Sequence, residues 1–211
     1  MRLRHIPGAE EAIAAHPACI QEEIRPGTWC GVFGNSAPIR LEIGMGKGRF
    51  LMTLAEQNPQ INYIGIERYS SVLYRAIQKY DENPLENLRF LCVDARQLDT
   101  YFAAGEVDRI YLNFSDPWPK DRHAKRRLTS PAFLALYDRV LKKDGVIEFK
   151  TDNRDLFTWS LEQIEPAGWQ LTASTFDLHH DAAMNAGNIM TEYEERFSGQ
   201  GNPICKMIIC R

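Results

Sequence analysis

The chain has 211 residues, 44% hydrophobic and 25% charged, an ordinary globular balance that excludes collagen, coiled coil and wholesale disorder. Its uninterrupted apolar runs are only a few residues long, as at 207–210, so no segment reads as a membrane span, and no apolar stretch follows the basic opening Met1 to His5 as a signal peptide requires. The net charge of −3 argues against a protein that coats nucleic acid by bulk charge, but Lys120, Arg122, Lys125, Arg126 and Arg127 against Asp121 give +4 in eight residues and leave −7 elsewhere.

Residues 1–36 read as an arm or lid, because Pro17, Pro26, Gly27, Gly31 and Gly34 punctuate them and only 9–15 suits a short helix. Residues 37–211 read as one domain. A strand at 39–43 stops at glycines, and a helix at 47–57 follows with Phe50, Leu51, Leu54 and Ala55 on one face. Next come a strand at 61–66, a helix at 70–80, and strands at 88–93 and 109–113. A helix at 131–141 has proline in its first turn. A turn at 143–145 leads to a strand at 146–149, then a helix at 154–164 and strands at 169–176 and 203–210. Alternating strands and helices predict an α/β fold with a mostly parallel sheet. The last two strands lack a full crossover, which suits one of them to run antiparallel. Five cysteines without a CxxC pair predict a reduced chain with no zinc or other metal site.

The turn Glu42-Ile-Gly44-Met-Gly46-Lys-Gly48 joins the first strand to the first helix. Glycines there let the backbone turn sharply and approach a ligand. Gly48 stands where a Walker A loop needs Ser or Thr, and Arg49 stands where a dinucleotide fingerprint needs Gly. An acid beside the turn repels pyrophosphate and suits a cationic ligand such as S-adenosylmethionine. Glu67 ends the second strand and can accept ribose hydroxyls, a role that fits NAD equally well. Asp94 and Ala95 close the third strand, where they could meet an adenine; Asp94 could equally cap a helix.

Asn113-Phe-Ser-Asp116-Pro-Trp-Pro-Lys120 follows the fourth strand, and its two prolines stiffen the loop that carries Asp116. The basic run sits directly beside it. Asp152 ends the fifth strand, and Thr191 to Glu195 offers acceptors and an aromatic ring, or simply a helix start.

Together these residues resemble the bacterial tRNA (guanine-N7-)-methyltransferase family of S-adenosylmethionine-dependent enzymes. The resemblance runs from Met1-Arg-Leu-Arg4 and Phe33-Gly-Asn35 through the glycine turn, Gly65-Ile-Glu67, Ser115 to Lys120, Arg122 to Leu128, Thr151-Asp-Asn153 and Thr191 to Glu194. It implies a Rossmann-like class I methyltransferase fold, with a seven-stranded sheet, helices on both faces and an antiparallel last strand. It implies that Glu42, Gly44, Gly46, Glu67, Asp94, Ala95 and Asp116 bind S-adenosylmethionine, with Asp116 also catalytic. Lys120, Asp152, Thr191, Glu192, Tyr193 and Glu194 would bind the substrate, and Arg122, His123, Lys125, Arg126 and Arg127 would touch RNA. The implied target is guanine 46 in the tRNA variable loop; the location in the cytoplasm is what an odd number of cysteines without a CxxC pair suits. The compact N-terminal part is similar to shorter family members, for which a homodimer is implied.

Guanine N7 has a lone pair and no proton, so it can attack a sulfonium methyl without a general base. Positioning and electrostatics would carry the catalysis. Carboxylates such as Asp152 or Glu194 suit the N–H donors of guanine. A non-catalytic RNA-binding module and a nicotinamide oxidoreductase with a degenerate fingerprint stay open at this point.

Overall fold

The computed structural model describes residues 6–20 and 24–211. The opening run 1–4 of the resemblance lies outside the described residues. The elements in chain order are α1 (Ala9–Ala15), α2 (Trp29–Phe33), β1 (Ile39–Ile43), α3 (Arg49–Gln57), β2 (Asn62–Ile66), α4 (Ser70–Tyr80), β3 (Leu88–Leu91), α5 (Leu98–Tyr101), β4 (Val107–Asn113), α6 (Pro131–Val140), β5 (Leu141–Thr151), α7 (Arg154–Ile164), β6 (Gln170–Thr175), α8 (Ala182–Asn185), α9 (Glu192–Ser198) and β7 (Cys205–Cys210).

The sheet order is β3-β2-β1-β4-β5-β7-β6. The strands from β3 to β5 pair in parallel, whereas β7 runs antiparallel to both β5 and β6. The reversed last strand is therefore as the sequence predicts. Alternation along each strand splits the core between two faces. Tyr63, Leu88, Phe90 and Tyr111 meet Ile13, Phe50, Leu51, Leu73 and Ile77 from α1, α3 and α4. Ile64, Leu91, Ile110 and Leu112 meet Leu98, Phe133, Leu134, Tyr137 and Phe157 from α5, α6 and α7. Each such large side chain contributes about 1.5–3 kcal/mol by leaving water.

Local chemistry sets the element ends. Asn153 caps α7 by accepting from the Leu156 N–H at 2.8 Å. Pro131 opens α6 at the position where its missing donor costs nothing. β3 stops at Leu91 because its parallel partner β2 stops at Ile66. Gly65 is needed for close approach: a Cβ there would stand 2.1 Å from the Met45 sulfur.

One junction differs from the expected turn at 143–145. The chain leaves α6 and enters β5 directly, pairing Leu141 with Val107; the register then jumps to Val146 against Arg109. Residues 142–144 bulge into solvent, and the Lys142 ammonium reaches Asp108 at 2.6 Å. The described part of the N-terminal segment is packed down. Ile13 is buried with α4, Cys19 bridges to Phe90 beside β3, and Trp29 stacks on Phe102 at 5.2 Å.

Candidate active site

β1 and β4 are neighbours while the connection between them crosses the sheet edge order, so a crevice opens at their carboxyl ends. An open cleft of about 780 Å³ lies there, and Gly44, Glu67, Asp94, Ala95, Asp116 and Trp118 line it. Four predicted acids thus sit at one end of the sheet, three of them on the cleft wall and Glu42 behind it.

Glu42 is the penultimate residue of β1 and is 1% exposed. Its Oε1 accepts from Asn113 Nδ2 at 2.8 Å, and its Oε2 is buried without a partner. Sequence reasoning missed Asn113, whose signal was its place as the last residue of β4. Beside Glu42, Gly44 and Gly46 take φ of 76° and 59°, with open space where a side chain would stand. A carboxyl oxygen left without a partner at the foot of an uncluttered glycine turn fits the amino-acid end of S-adenosylmethionine, whose ammonium would favour loss of the buried proton when it binds.

Burial pushes the Glu42 carboxyl up to about 8 from its ordinary 4.5; Asn113 and Lys150 pull it down and Glu67 pushes it further up. The folded chain therefore keeps a proton that the unfolded chain releases. Stability from this group is complete below about 4.5 and is lost as pH rises towards about 8. Glu42→Gln does not titrate. Its melting temperature should fall less than that of the wild type between about pH 5 and pH 8, and parallel curves would contradict the buried proton.

Glu67 follows β2 and holds the turn. Its Oε2 accepts from the Gly46 N–H at 3.2 Å and its Oε1 from the Tyr69 N–H at 3.0 Å. Burial raises its pKa, and the neighbouring Asp116 charge adds to the rise. Asp94 does cap a turn, accepting from the Arg96 N–H at 3.0 Å, and its Oδ2 accepts from the Arg96 guanidinium at 2.7 Å. These bonds hold its carboxyl down at about 2, so it is charged at neutral pH. Asp116 is exposed at the cleft and makes no hydrogen bond or ion pair among the described residues.

The Asp116 loop is bent as well as stiff. Phe114 and Trp118 are the two non-glycine residues with positive φ among the described residues, at 52° and 43°. Arg127 braces this bend. It is 7% exposed, donates to the Pro117 and Trp118 carbonyls at 3.1 Å each, and lies 4.3 Å from the centre of the Trp159 ring. The structure therefore separates Arg127 from its expected company: Arg122, Lys125 and Arg126 are surface cations, and Arg127 is a strut. Arg126 covers the Trp118 ring at 4.8 Å with His123 edge-on at 5.8 Å. Lys120 is exposed at the start of the same segment.

The second predicted group divides likewise. The Tyr193 hydroxyl donates to Asp152 Oδ2 at 3.1 Å, and its ring stacks on Phe197 at 4.1 Å. Partial burial, helped by the Asp152 charge, pushes the phenol up to about 12, so it stays a donor. Thr191 caps α9, accepting from the Glu194 N–H at 2.9 Å. Glu192 faces Lys79 and Lys47. Glu194, expected to meet guanine, is fully buried. Its Oε2 accepts from Lys150 Nζ at 2.6 Å and its Oε1 from Asn188 Nδ2 at 2.8 Å. Lys150 also donates to Asn188 Oδ1 and to the Ile189 carbonyl. The pair ties the end of β5 to α9, and neither oxygen of Glu194 is free for a base.

This fold and cleft define a class I methyltransferase. Among solved structures the chain is similar to an antibiotic-related methyltransferase, with a TM-score of 0.67 at 17% identity over 91% of this chain and 96% of the other. It is also similar to the 16S rRNA methyltransferase KamB, with a TM-score of 0.65 at 16% identity over 89% and 94%. The family model described as "Putative methyltransferase" matches residues 36–207. The chain is 61% identical over 212 residues to the tRNA (guanine-N(7)-)-methyltransferase of Lachnoclostridium phytofermentans, covering 100% of this chain and 99% of that one. It is 54% identical over 206 residues to the same-named protein of Geobacillus sp. WCH70, covering 97% and 93%. The chain belongs to the tRNA (guanine-N7-)-methyltransferase family.

Proposed function

We infer that this chain transfers the methyl group of S-adenosylmethionine to N7 of a guanine in tRNA. The observation that carries the reading is the gathering of Glu67, Asp94 and Asp116 on one cleft, above a glycine turn whose neighbour Glu42 has an unpartnered buried oxygen. Relatives that share more than half of the sequence are named for this reaction. An oxidoreductase is disfavoured by Arg49 in the fingerprint and by the reversed β7, since dinucleotide folds carry parallel strands there. A non-catalytic module would have no need of the turn.

When bound, S-adenosylmethionine supplies a methyl group on a positively charged sulfur. Glu42 and the turn at Gly44 and Gly46 would hold its amino-acid end, Glu67 its ribose, and Asp94 and Ala95 its adenine. Guanine N7 needs no proton removed, so the chain supplies position and charge. Asp116, unpaired at the cleft, favours the positive charge that the purine acquires. Asp152 and Tyr193 present an acceptor and a hydroxyl to the base, while Lys150 and Glu194 fix the segment that carries Thr191 to Tyr193. Lys120, Arg122, His123, Lys125 and Arg126 face the RNA backbone.

Binding should weaken as salt rises, because phosphate contacts release counterions. Neutralising Arg122, Lys125 and Arg126 together should flatten the log–log slope by about 2.1 to 2.7 if all three touch phosphate. An unchanged slope would make them solvated surface charge. Arg127→Met should leave the slope alone and instead lower melting temperature and turnover, because it frees the bend at Trp118.

The guanine is that at position 46 of the variable loop. Digesting tRNA after reaction and sequencing it by mass spectrometry tests this. N7-methylguanosine at that position is the expected product, and methylation of another base or atom would overturn the reading. We propose further that residues 1–36 act as an arm or lid whose described part lies packed on the domain, that the enzyme works in the cytoplasm, and that two chains assemble. Exposed Leu171 on edge strand β6 supports the last point, and a single-chain mass by light scattering at micromolar concentration would contradict it.

A further inference from the structure

A second cavity, of about 450 Å³, opens on the α3 side of the sheet, and none of the cleft's acids lines it. Its floor holds Arg40, Arg109, Glu148, Lys150 and Lys206, and Phe50 and Met184 form apolar wall. Strand register sets its cations side by side. Arg40 pairs directly with Arg109, and Lys150 directly with Lys206. Like charges opposite one another across strands are destabilising, so two such pairs in one recess call for a partner.

The carboxylates present do not balance them. Glu148 serves two cations, Arg109 at 2.5 Å and Lys206 at 3.2 Å. Glu194 is taken by Lys150. Arg40 has no carboxylate partner among the described residues. Its Nη1 donates to the Tyr111 hydroxyl at 3.3 Å, the Tyr63 phenol lies beside the guanidinium, and its Nε is buried without an acceptor. With Glu194 behind the lining counted against Lys150, four cations face two carboxylates, so the cluster carries two positive charges in excess, beside an unsatisfied guanidinium donor.

We propose that this cavity binds a phosphate dianion, free or on a small organic group, with Arg40 as its principal ligand and Arg109 and Lys206 beside it. A phosphate monoester carries close to two negative charges at neutral pH, which matches the excess, whereas a nucleic-acid phosphodiester carries one. The cavity volume leaves room for an organic substituent against Phe50 and Met184.

Inorganic phosphate is the probe, added to the full-length protein at about pH 8 and compared with chloride at equal ionic strength. Melting temperature and calorimetric affinity are the readouts. Phosphate should raise the melting temperature where chloride does not, and dimethyl phosphate, a monoanionic diester, should bind distinctly more weakly. Arg40→Gln should weaken phosphate binding about tenfold, as the loss of one charge-assisted donor requires. Lys206→Gln serves as a second variant on another strand, with the same sign. The Arg122→Gln/Lys125→Gln/Arg126→Gln variant should retain wild-type phosphate binding. The proposal is overturned by equal effects of phosphate and chloride, by equal binding of dimethyl phosphate, by full phosphate binding in folded Arg40→Gln, or by loss of binding in the loop variant.

Discussion

Replacing Asp116 with alanine is expected to cut turnover about a hundredfold to a thousandfold while the protein stays folded. The residue sits exposed on the cleft wall without a hydrogen bond or ion pair among the described residues, so the fold loses no contact. What is lost is a fixed negative charge where the purine becomes cationic, an interaction of the kind worth that factor when its geometry is preset. The surrounding bend at Phe114 and Trp118 and the Arg127 strut maintain that geometry. Asp116→Asn keeps the shape and removes the charge, so it should be nearly as slow. Near-wild-type turnover in Asp116→Asn, with unchanged melting temperature, would show that charge is not what the residue supplies.

Lys150→Met is expected to destabilise the protein by about 3–5 kcal/mol, because it leaves the buried Glu194 carboxyl with only Asn188 and His179 beside it and no partner for Oε2. That is a large part of the stability of an ordinary domain, and for a chain of this size it lowers the melting temperature by roughly 10 °C. The double variant Lys150→Met/Glu194→Leu removes both charges and should recover most of the loss. Its kcat should stay low even so, because the Lys150 bonds to Asn188 and Ile189 that fix the segment before α9 are gone. A single-variant cost below about 1 kcal/mol would make the pair an ordinary surface bridge.

Much of the framework was legible because local patterns carried it. The helices at 9–15, 70–80 and 154–164 have the bounds that apolar spacing and caps predict. Glu67, Asp94 and Asp116 could be assigned to one cleft because strand ends in such sheets converge. The rest depended on distant partners. Nothing in a run of five cations says that Arg127 turns inward, since its acceptors are the carbonyls of Pro117 and Trp118 and its cover is Trp159. Glu194 read as an acceptor for guanine because its partner, Lys150, lies on a different element. The direct entry from α6 into β5 was hidden because Lys143-Asp-Gly145 has the composition of a turn and here forms a bulge. The second cavity has no motif at all: Arg40, Arg109, Glu148 and Lys206 meet only through sheet register.

The central claim is that N7 itself attacks and that the chain provides placement and charge without a base. A tRNA carrying 7-deazaguanine at position 46 replaces that nitrogen by C–H and leaves the rest of the nucleotide in place. With radiolabelled S-adenosylmethionine, this substrate should bind as tightly as normal tRNA and take up no methyl group, whereas the normal tRNA is labelled. Methyl incorporation into the 7-deaza position would contradict the mechanism outright.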